Sequence, residues 1–569
     1  MGHESSFWRD AKTNARDERA TRTPPRAPLQ KQDGVSTFPM SRELFAHEAL
    51  ALIPKILTLQ DRNPHSPTYG CFDRNFWHYK IIDFPSGMAA EFVWPLALAY
   101  ALPIPGNPYF QIPAIKQWVE AGIRYAARSA HPDGSCDDYF PFEKAAGAAA
   151  FSLLACLESY ELLALHDSEL LDFFGQRADW LADHHESGRL TNHQALIVLC
   201  LEKVSRLFSS DRWNKAKAKR LKRVLEWQNE EGWFQEYEGC DPGYHTLTIA
   251  LLAQVHALSP TTEIKAALQK AIYFAAHFVH PDGSFGGEYT SRNTYNFFPH
   301  GFEIAGEWMP EALEINDRIL AGHARGLGAC YADDHILGHH AWSYLLAWQH
   351  FKETRPPATE RPAGRLHFKK AGLLIERRGI TTLYLALNKG GVFKFFRGDE
   401  LVHSDTQFSV QVVSGKKTRT AVAHLVGKYD AEIEADTITL RGKLGWAKTK
   451  QMTTFNLVVL RGLMFTVGRF FPNLIRRLLQ KLLITGKKSA PFQFVRAIAW
   501  EADGLRVSDE LFAHSWEPVR EIGIGAAQTS IYVVMSRTYQ AGQLQPWLDL
   551  TGQLPEVEKD GRLLVERTF

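Results

Sequence analysis

The chain has 569 residues, more than one hydrophobic core ordinarily supports, so two or more domains are expected. Apolar residues make up 45% of the sequence and charged residues 22%, which indicates a globular protein and excludes a disordered or fibrous one. The formal net charge of +2 gives no indication of nucleic-acid binding. An acidic ligand would therefore have to be attracted by a local basic cleft.

Residues 1–38 predict a disordered leader. They contain five arginines but lack the apolar segment of a secretory signal peptide. Periodic apolar sequence begins just after Met40, which is an alternative start of the protein. No run of about eighteen uncharged apolar residues is present, so no transmembrane helix is predicted. These features together predict a cytoplasmic protein.

Residues 39–354 predict a helical domain built from repeats. Gly134, Gly188, Gly232 and Gly283 mark turns at intervals of 54, 44 and 51 residues, and each turn lies between apolar helical runs. A period near fifty residues that holds two helices is typical of stacked helical hairpins, in an (α/α) toroid or an α-solenoid. In a toroid, the segments that follow these glycines would converge on one cleft, whereas each glycine only ends a helix or turns the chain.

Two of these segments carry groups suited to acid–base chemistry. Asn192 and His193 precede one apolar helical run, and Tyr244 and His245 precede another about fifty residues later. An asparagine can donate hydrogen bonds to a carboxylate, whereas histidine and tyrosine can transfer protons. The structural alternatives are a helix N-cap for Asn192, a buried histidine for His193 and a core edge for Tyr244. The spacing and the matching repeat positions favour a site.

Further candidates for substrate binding lie in neighbouring segments. Arg292 follows the fourth glycine and could hold a substrate carboxylate with two hydrogen bonds, while Tyr295 and His300 could line a sugar subsite. A structural loop held by a Glu288–Arg292 pair is the alternative. Tyr237 and Glu236, which share the segment of Tyr244, are weaker candidates. His245 and Trp77 are further ones, and Trp77 lies in a segment rich in aromatic and hydrogen-bonding groups.

A change in composition separates the helical half from a strand-rich half. Residues 355–364 are rich in proline and predict a linker. Residues 365–569 alternate apolar and polar positions between glycine-containing turns, which predicts a large antiparallel β-sandwich. His403 and Asp405 lie early in this half, where a hydrogen-bonded pair at a strand edge is the structural alternative to a catalytic role.

The Asn-His pair, the later tyrosine and the helix-then-strand order resemble the heparinase II/III-like and alginate lyase-like polysaccharide lyases. The resemblance implies β-elimination from a uronic-acid polysaccharide or oligosaccharide, without a catalytic metal, nucleotide or redox cofactor. It implies that Asn192 holds the uronate carboxylate, that His193 is the base or a carboxylate partner, and that Tyr244 is the acid or both acid and base. His403 resembles the histidine of a His-x-Asp motif in the β domain of this family, although the residues before it differ from the usual pattern.

Two other functions remain open. A uronate C5 epimerase begins with the same proton abstraction, so residue types do not distinguish it from a lyase. A non-catalytic polysaccharide-binding or assembly factor at the cytoplasmic membrane face is the third hypothesis. It rests partly on residues 461–488, which contain seven basic residues and no acidic one. Their apolar residues fall at helical spacing, which predicts a basic amphipathic insertion that could contact a membrane surface.

Overall fold

The computed structural model describes residues 42–569, apart from residues 186–187, 237–238, 332–335, 448–450, 481–487, 503, 530–532, 538 and 542–543. The helices of the first half are α1 (Glu43–Leu50), α2 (Ile53–Leu59), α3 (Arg74–Trp77), α4 (Val93–Ala101), α5 (Pro113–Arg128), α6 (Ala146–Leu162), α7 (Ser168–Asp183), α8 (Thr191–Leu207), α9 (Asn214–Glu226), α10 (Pro242–Leu258), α11 (Thr262–Ala276), α12 (His300–Ala305), α13 (Glu311–Ala324) and α14 (Ile336–His350).

Six of these helices form a closed inner ring. Helix α4 packs on α6, α6 on α8, α8 on α10, α10 on α12, α12 on α14, and α14 returns to α4. The inner helices α6 and α10 are apolar around most of their circumference because they are covered on all sides. The outer helices, such as α5 and α9, bury one face and expose charged residues on the other. The predicted stacked hairpins therefore close into an (α/α) toroid.

The repeat glycines make the turns between outer and inner helices. Gly134, Gly188, Gly232 and Gly283 all have positive φ, between 82° and 103°. Three of these turns also approach the backbone of the next outer helix: a Cβ would lie 2.6 Å from Arg177 N at Gly134, and 2.5 Å from Arg318 O at Gly283. Glycine is needed there for both its φ angle and its missing side chain.

Gly283→Ala should destabilise the protein by about 2–4 kcal/mol, because the new Cβ would meet the backbone of α13 in addition to the strain of a positive φ. Gly326→Ala is the matched control, since Gly326 has φ of 77° but no atom within 4 Å of the position that a Cβ would take. The control should lower the unfolding temperature measured by calorimetry much less. Equal losses in the two variants would show that close packing contributes nothing.

The second half consists of antiparallel strands. The strands are β1 (Gly364–Phe368), β2 (Leu373–Arg378), β3 (Thr381–Ala386), β4 (Val392–Arg397), β5 (Glu400–Asp405), β6 (Phe408–Ser414), β7 (Lys417–Val422), β8 (Asp430–Ile433), β9 (Thr437–Trp446), β10 (Ser489–Glu501), β11 (Gly504–Ala513), β12 (Val519–Ile524), β13 (Leu548–Asp549) and β14 (Arg562–Thr568). Among the residues described, one sheet has five strands in sequential order, β1 to β5, and the other has nine, in the order β13-β12-β6-β7-β9-β10-β11-β14 with β8 paired to β9.

The five-stranded sheet lies between the helices and the larger sheet. On one face, Ile375 and Tyr384 join the hydrophobic core of the helical half. On the other face, Leu374, Phe393 and Phe395 pack into the core between the two sheets. Side chains of a strand alternate between faces, so burial on both sides explains why these strands are apolar almost throughout.

A helical insertion separates β9 from β10. It contains α15 (Thr454–Leu463), a π-helical turn (Met464–Gly468) and α16 (Pro472–Gln480). The insertion thus begins earlier than the predicted 461–488, and residues 481–487 lie outside the described part of the chain. After the sheets, a short α17 (Leu554–Asp560) precedes the last strand.

Candidate active site

The first residues of α8 are joined to a buried carboxylate. Glu236 Oε1 accepts hydrogen bonds from the backbone N–H of Asn192 at 2.8 Å and from its side-chain Nδ2 at 2.9 Å. Both residues are buried. Asn192 is the second residue of α8 and its side chain does not cap the helix, so the N-cap alternative is wrong. Glu236 instead fixes the amide orientation of Asn192.

An arginine connects this carboxylate to the tyrosine of the next inner helix. Arg292 Nη1 lies 3.7 Å from Glu236 Oε2, and the guanidinium carbon lies 5.1 Å from the ring centroid of Tyr244. Tyr244 stands at the start of α10, where Asp241 caps the helix by accepting from the Tyr244 N–H at 3.1 Å. Asn192, Glu236, Arg292 and Tyr244 therefore form one continuous cluster across two neighbouring inner helices.

His193 is half-buried at the same end of α8. It contributes to the electrostatic environment of Glu236 and meets the ring of Phe151 edge-on, with the centroids 6.4 Å apart. A Cβ at Gly147, near the start of α6, would lie 2.6 Å from His193 Cε1. The backbone of α6 at Gly147 thus packs directly against one edge of the His193 imidazole.

Burial raises the pKa of Glu236 above its ordinary value, and the positive charge of Arg292 together with the Asn192 hydrogen bonds partly offsets that rise. The Glu236 carboxylate joins Asn192 to Arg292 within the cluster. It also places an acceptor where Asn192 and Arg292 need one to hold their positions.

The segment that carries Arg292 is anchored from the sandwich side. The buried ammonium of Lys389 donates to the carbonyls of Glu288 and Thr290, at 2.8 and 2.7 Å, and to Asn293 Oδ1 at 2.6 Å. Burial lowers the pKa of Lys389 to about 7. Lys394 on β4 lies 3.1 Å from Glu288 Oε2. The five-stranded sheet therefore positions one wall of a site whose other groups come from helices.

Gly147→Ala should lower activity about 100-fold with little change in stability. The new methyl group would push the His193 ring out of place, and a displacement of about 1 Å can cost that much in rate. Gly175→Ala is the control, because the nearest atom to its Cβ, Phe208 Cζ, is 3.8 Å away. Steady-state rates and unfolding temperatures of both variants make the test; normal activity in Gly147→Ala would remove His193 from the mechanism.

Two predicted binding residues belong to the core instead. His245 is fully buried; its Nε2 lies 2.9 Å from Ala271 O, and Nδ1 accepts from the Phe234 N–H at 3.4 Å. Burial lowers the pKa of His245 to about 4. His300 is equally buried between Ser343 Oγ at 2.8 Å and Gln254 Nε2 at 2.9 Å. Their ring nitrogens hold helices together, so the prediction that they contact substrate is corrected.

Arg292 and Tyr295 also lie deeper than predicted. Arg292 is 1% exposed and pairs with Glu236, so the predicted alternative of a Glu288–Arg292 pair is wrong. In this conformation the guanidinium contacts Glu236 and Tyr244 of the cluster and is shielded from solvent. The Tyr295 hydroxyl donates to Glu288, which in turn pairs with Lys394. Tyr295 thereby contributes to the anchoring of the loop and does not line an open subsite.

His403 does not approach the cleft. It pairs across the sheet with Phe395, whose side chain faces the core between the sheets, so the His403 side chain points to that same face. Its ring stacks on Phe569 with centroids 4.2 Å apart, and its Nε2 lies 3.9 Å from the buried Asp405. Burial lowers the pKa of His403 to about 4. The predicted catalytic role of His403 is therefore corrected to a packing role.

The remaining candidates are placed elsewhere or not described. Trp77 donates its indole N–H to Leu59 O at 2.8 Å and meets His78 edge-on, which ties it to the end of α2. Tyr237 lies outside the described residues. Among the residues that the structure describes, no group of three or more His, Cys, Asp or Glu side chains could hold a metal ion.

Sequence reasoning missed the two lysines of the sandwich. Lys394 is the single charge within residues 392–396 of β4, which are otherwise apolar, and a charged residue at such a position is rarely buried unless it is paired. That signal was available in the sequence. Lys389 lies in a turn between β3 and β4, where a lysine is ordinarily exposed, and only the fold shows that it is buried.

No protein-family model matches this sequence, and no curated protein matches it. Solved structures do. A xanthan lyase from Paenibacillus overlays with a TM-score of 0.51 at 11% identity, covering 86% of this chain and 46% of that one. Chondroitin AC lyase from Streptomyces coelicolor A3 gives 0.50 at 9% identity, over 93% and 76% of the two chains. Heparinase III gives 0.49 at 11% identity, over 97% and 85%.

The first two overlays confirm the predicted fold, a helical toroid followed by antiparallel sheets as in these polysaccharide lyases. The chain spans less than half the length of the xanthan lyase. At such low identity the similarity shows the fold alone, so activity must be argued from the site.

Proposed function

We propose that the protein is a polysaccharide lyase that cleaves a uronic-acid polymer or oligosaccharide by β-elimination. The observation that carries this proposal is the single cluster formed by Asn192, His193 and Tyr244 around the buried Glu236–Arg292 pair. These three groups are of the types that the reaction requires, and they stand at the starts of the neighbouring inner helices α8 and α10. The lyase fold supports the same conclusion.

β-Elimination makes three demands on a site. The uronate carboxylate must be hydrogen-bonded so that negative charge can develop on it when the C5 proton leaves. A base must take that proton, and an acid must protonate the departing C4 oxygen. In the proposed mechanism Asn192 donates to the carboxylate, His193 serves as base or carboxylate partner, and Tyr244 transfers the proton to the C4 oxygen.

The buried pair would prepare these groups for the reaction. Glu236 holds Asn192 by accepting from its backbone N–H and from one N–H of its side-chain amide. The guanidinium of Arg292 beside the Tyr244 ring would stabilise negative charge on the phenolic oxygen during proton transfer. Neither group needs to touch the substrate; each keeps a reacting side chain in place before substrate arrives.

The proposal is tested by incubating the protein with alginate, heparan, chondroitin and bacterial exopolysaccharides. A lyase product carries a 4,5-unsaturated uronate, whose conjugated double bond absorbs in the ultraviolet. Growth of that absorbance, much slower in Tyr244→Phe than in the unchanged protein, is the expected result. Deuterium from solvent at C5 without chain cleavage would show a C5 epimerase instead. Absence of both signals on every uronate polymer would leave the non-catalytic binding function.

A further inference from the structure

The insertion between β9 and β10 exposes an apolar surface that the proposed lyase activity does not use. Helix α15 has no buried residue, although most of its side chains are apolar. The large apolar side chains exposed on the insertion are Met452, Phe455, Leu457, Val458, Val459, Leu463, Phe465, Val467, Phe470, Phe471, Leu474 and Leu478. A contiguous apolar surface of this kind marks a site of protein or membrane contact.

The opposite side of the insertion is fixed to the helical domain. Met464 and Ile475 pack against Phe140 in a small core of their own. Arg461 Nη2 lies 2.9 Å from Asp83 Oδ1, and Arg476 Nη2 donates to Glu143 Oε1 at 3.1 Å. Two ion pairs and a buried cluster therefore determine which face of the insertion points away from the protein.

The charge of the insertion identifies the surface that it fits. Residues 451–480 contain four arginines and no lysine or acidic residue, and two of the four, Arg461 and Arg476, are paired with Asp83 and Glu143. Arg477 and Arg469 are exposed beside the apolar side chains. An interfacial helix buries apolar side chains at the boundary between lipid headgroups and acyl chains. Its cationic side chains contact the anionic headgroups beside them. A second protein copy would bring the same positive charge to the contact, which disfavours self-association.

We propose that the insertion 451–480 docks the protein onto an anionic lipid bilayer, with α15 and the Phe470–Phe471 turn lying in the interface. No described helix has the length and apolar character needed to cross a bilayer. The anchoring loop around Glu143 leads into α6, whose Gly147 contacts His193. Docking therefore holds the candidate active site near the lipid surface.

Flotation with vesicles tests this proposal independently of any enzymatic activity. Full-length protein is mixed with vesicles of phosphatidylglycerol and phosphatidylcholine, or of phosphatidylcholine alone, and the floated fraction is measured over a lipid titration. We expect binding to the anionic vesicles, on the order of tenfold weaker binding to the zwitterionic ones, and a further loss at high salt. Absence of flotation with the anionic vesicles would overturn the proposal.

Three single variants locate the contact. Phe455→Glu and Phe470→Glu replace side chains that are 75% and 73% exposed, so the fold should tolerate them, and each should reduce flotation at least about tenfold. Ile380→Glu makes the same change at a residue 71% exposed in the β2–β3 turn, and it should float like the unchanged protein. Equal flotation of all three variants would overturn the assignment to the insertion.

A fourth measurement separates lipid from a second copy as the occupant of this surface. Analytical ultracentrifugation without lipid should give the same mass for the unchanged protein and for Phe470→Glu. A dimer that Phe470→Glu dissociates, combined with no vesicle binding, would assign the surface to self-association and refute the bilayer proposal.

Arg477→Gln should weaken binding to anionic vesicles about fivefold and leave binding to zwitterionic vesicles unchanged.

Discussion

Tyr244→Phe is expected to lower lyase activity about 1,000-fold, mainly through kcat, while the unfolding temperature stays almost the same. The substitution removes only the phenolic oxygen, which is the proposed proton donor to the C4 oxygen. The ring is retained, so its packing at the start of α10 and its contact with the Arg292 guanidinium remain. Initial rates of ultraviolet absorbance on the best uronate polymer give the measurement.

The control for this variant is Tyr273→Phe, which removes the same atom from an exposed tyrosine of the outer helix α11. It should have full activity. If Tyr244→Phe also kept full activity, the proposed role of Tyr244 would be refuted even if the protein proved to be a lyase. A loss confined to KM would instead indicate a binding role for the hydroxyl.

Arg292→Met is expected to destabilise the protein by about 3 kcal/mol at slightly alkaline pH, because it leaves Glu236 as a buried charge without its ion-pair partner. The double variant Arg292→Met/Glu236→Gln should recover most of that loss, since the remaining amide is neutral. Arg506→Met, which breaks the exposed Arg506–Glu501 pair, should cost less than about 1 kcal/mol. Chemical denaturation of the four proteins measures these differences.

The loss of stability in Arg292→Met should depend on pH. The pKa of Glu236 is already raised in the folded protein, and removal of the Arg292 charge, which lowers it, should raise it further. A carboxyl group whose folded pKa exceeds its unfolded pKa favours folding in acid, and stability falls as the pH rises through the folded pKa. At a pH near 4.5, the ordinary pKa of the Glu236 carboxyl group in the unfolded chain, Arg292→Met should therefore approach the stability of the unchanged protein. A deficit that stays constant with pH would contradict the ion-pair explanation.

Activity of the double variant separates stability from positioning. If Glu236 and Arg292 hold Asn192 and Tyr244 in place, Arg292→Met/Glu236→Gln should fold normally yet be at least about tenfold less active than the unchanged protein. Full activity would show that the pair serves folding alone.

The sequence by itself determined the architecture and the positions of Asn192, His193 and Tyr244 at the starts of apolar helices. Helical periodicity, the glycine turns and the change to an alternating apolar–polar pattern are local features. Each can be read from a short stretch of sequence, because the period of the apolar residues follows the secondary structure. The repeat also placed Asn192 and Tyr244 at equivalent positions of successive hairpins. Closure of the ring then brought them together on adjacent inner helices, as the repeat predicted for a toroid.

Only the tertiary structure decided which polar side chains face the site. His403 and Lys394 lie on neighbouring strands of one sheet, yet register turns His403 towards the core between the sheets and Lys394 towards the loop of Arg292. Nothing in the local sequence sets which face of β4 meets the helices, since both of its faces are buried. His245 and His300 were likewise assigned to the core by the helices packed around them. Burial and pairing depend on residues far apart in the chain, and these contacts form only when the helical ring and the sheets pack together.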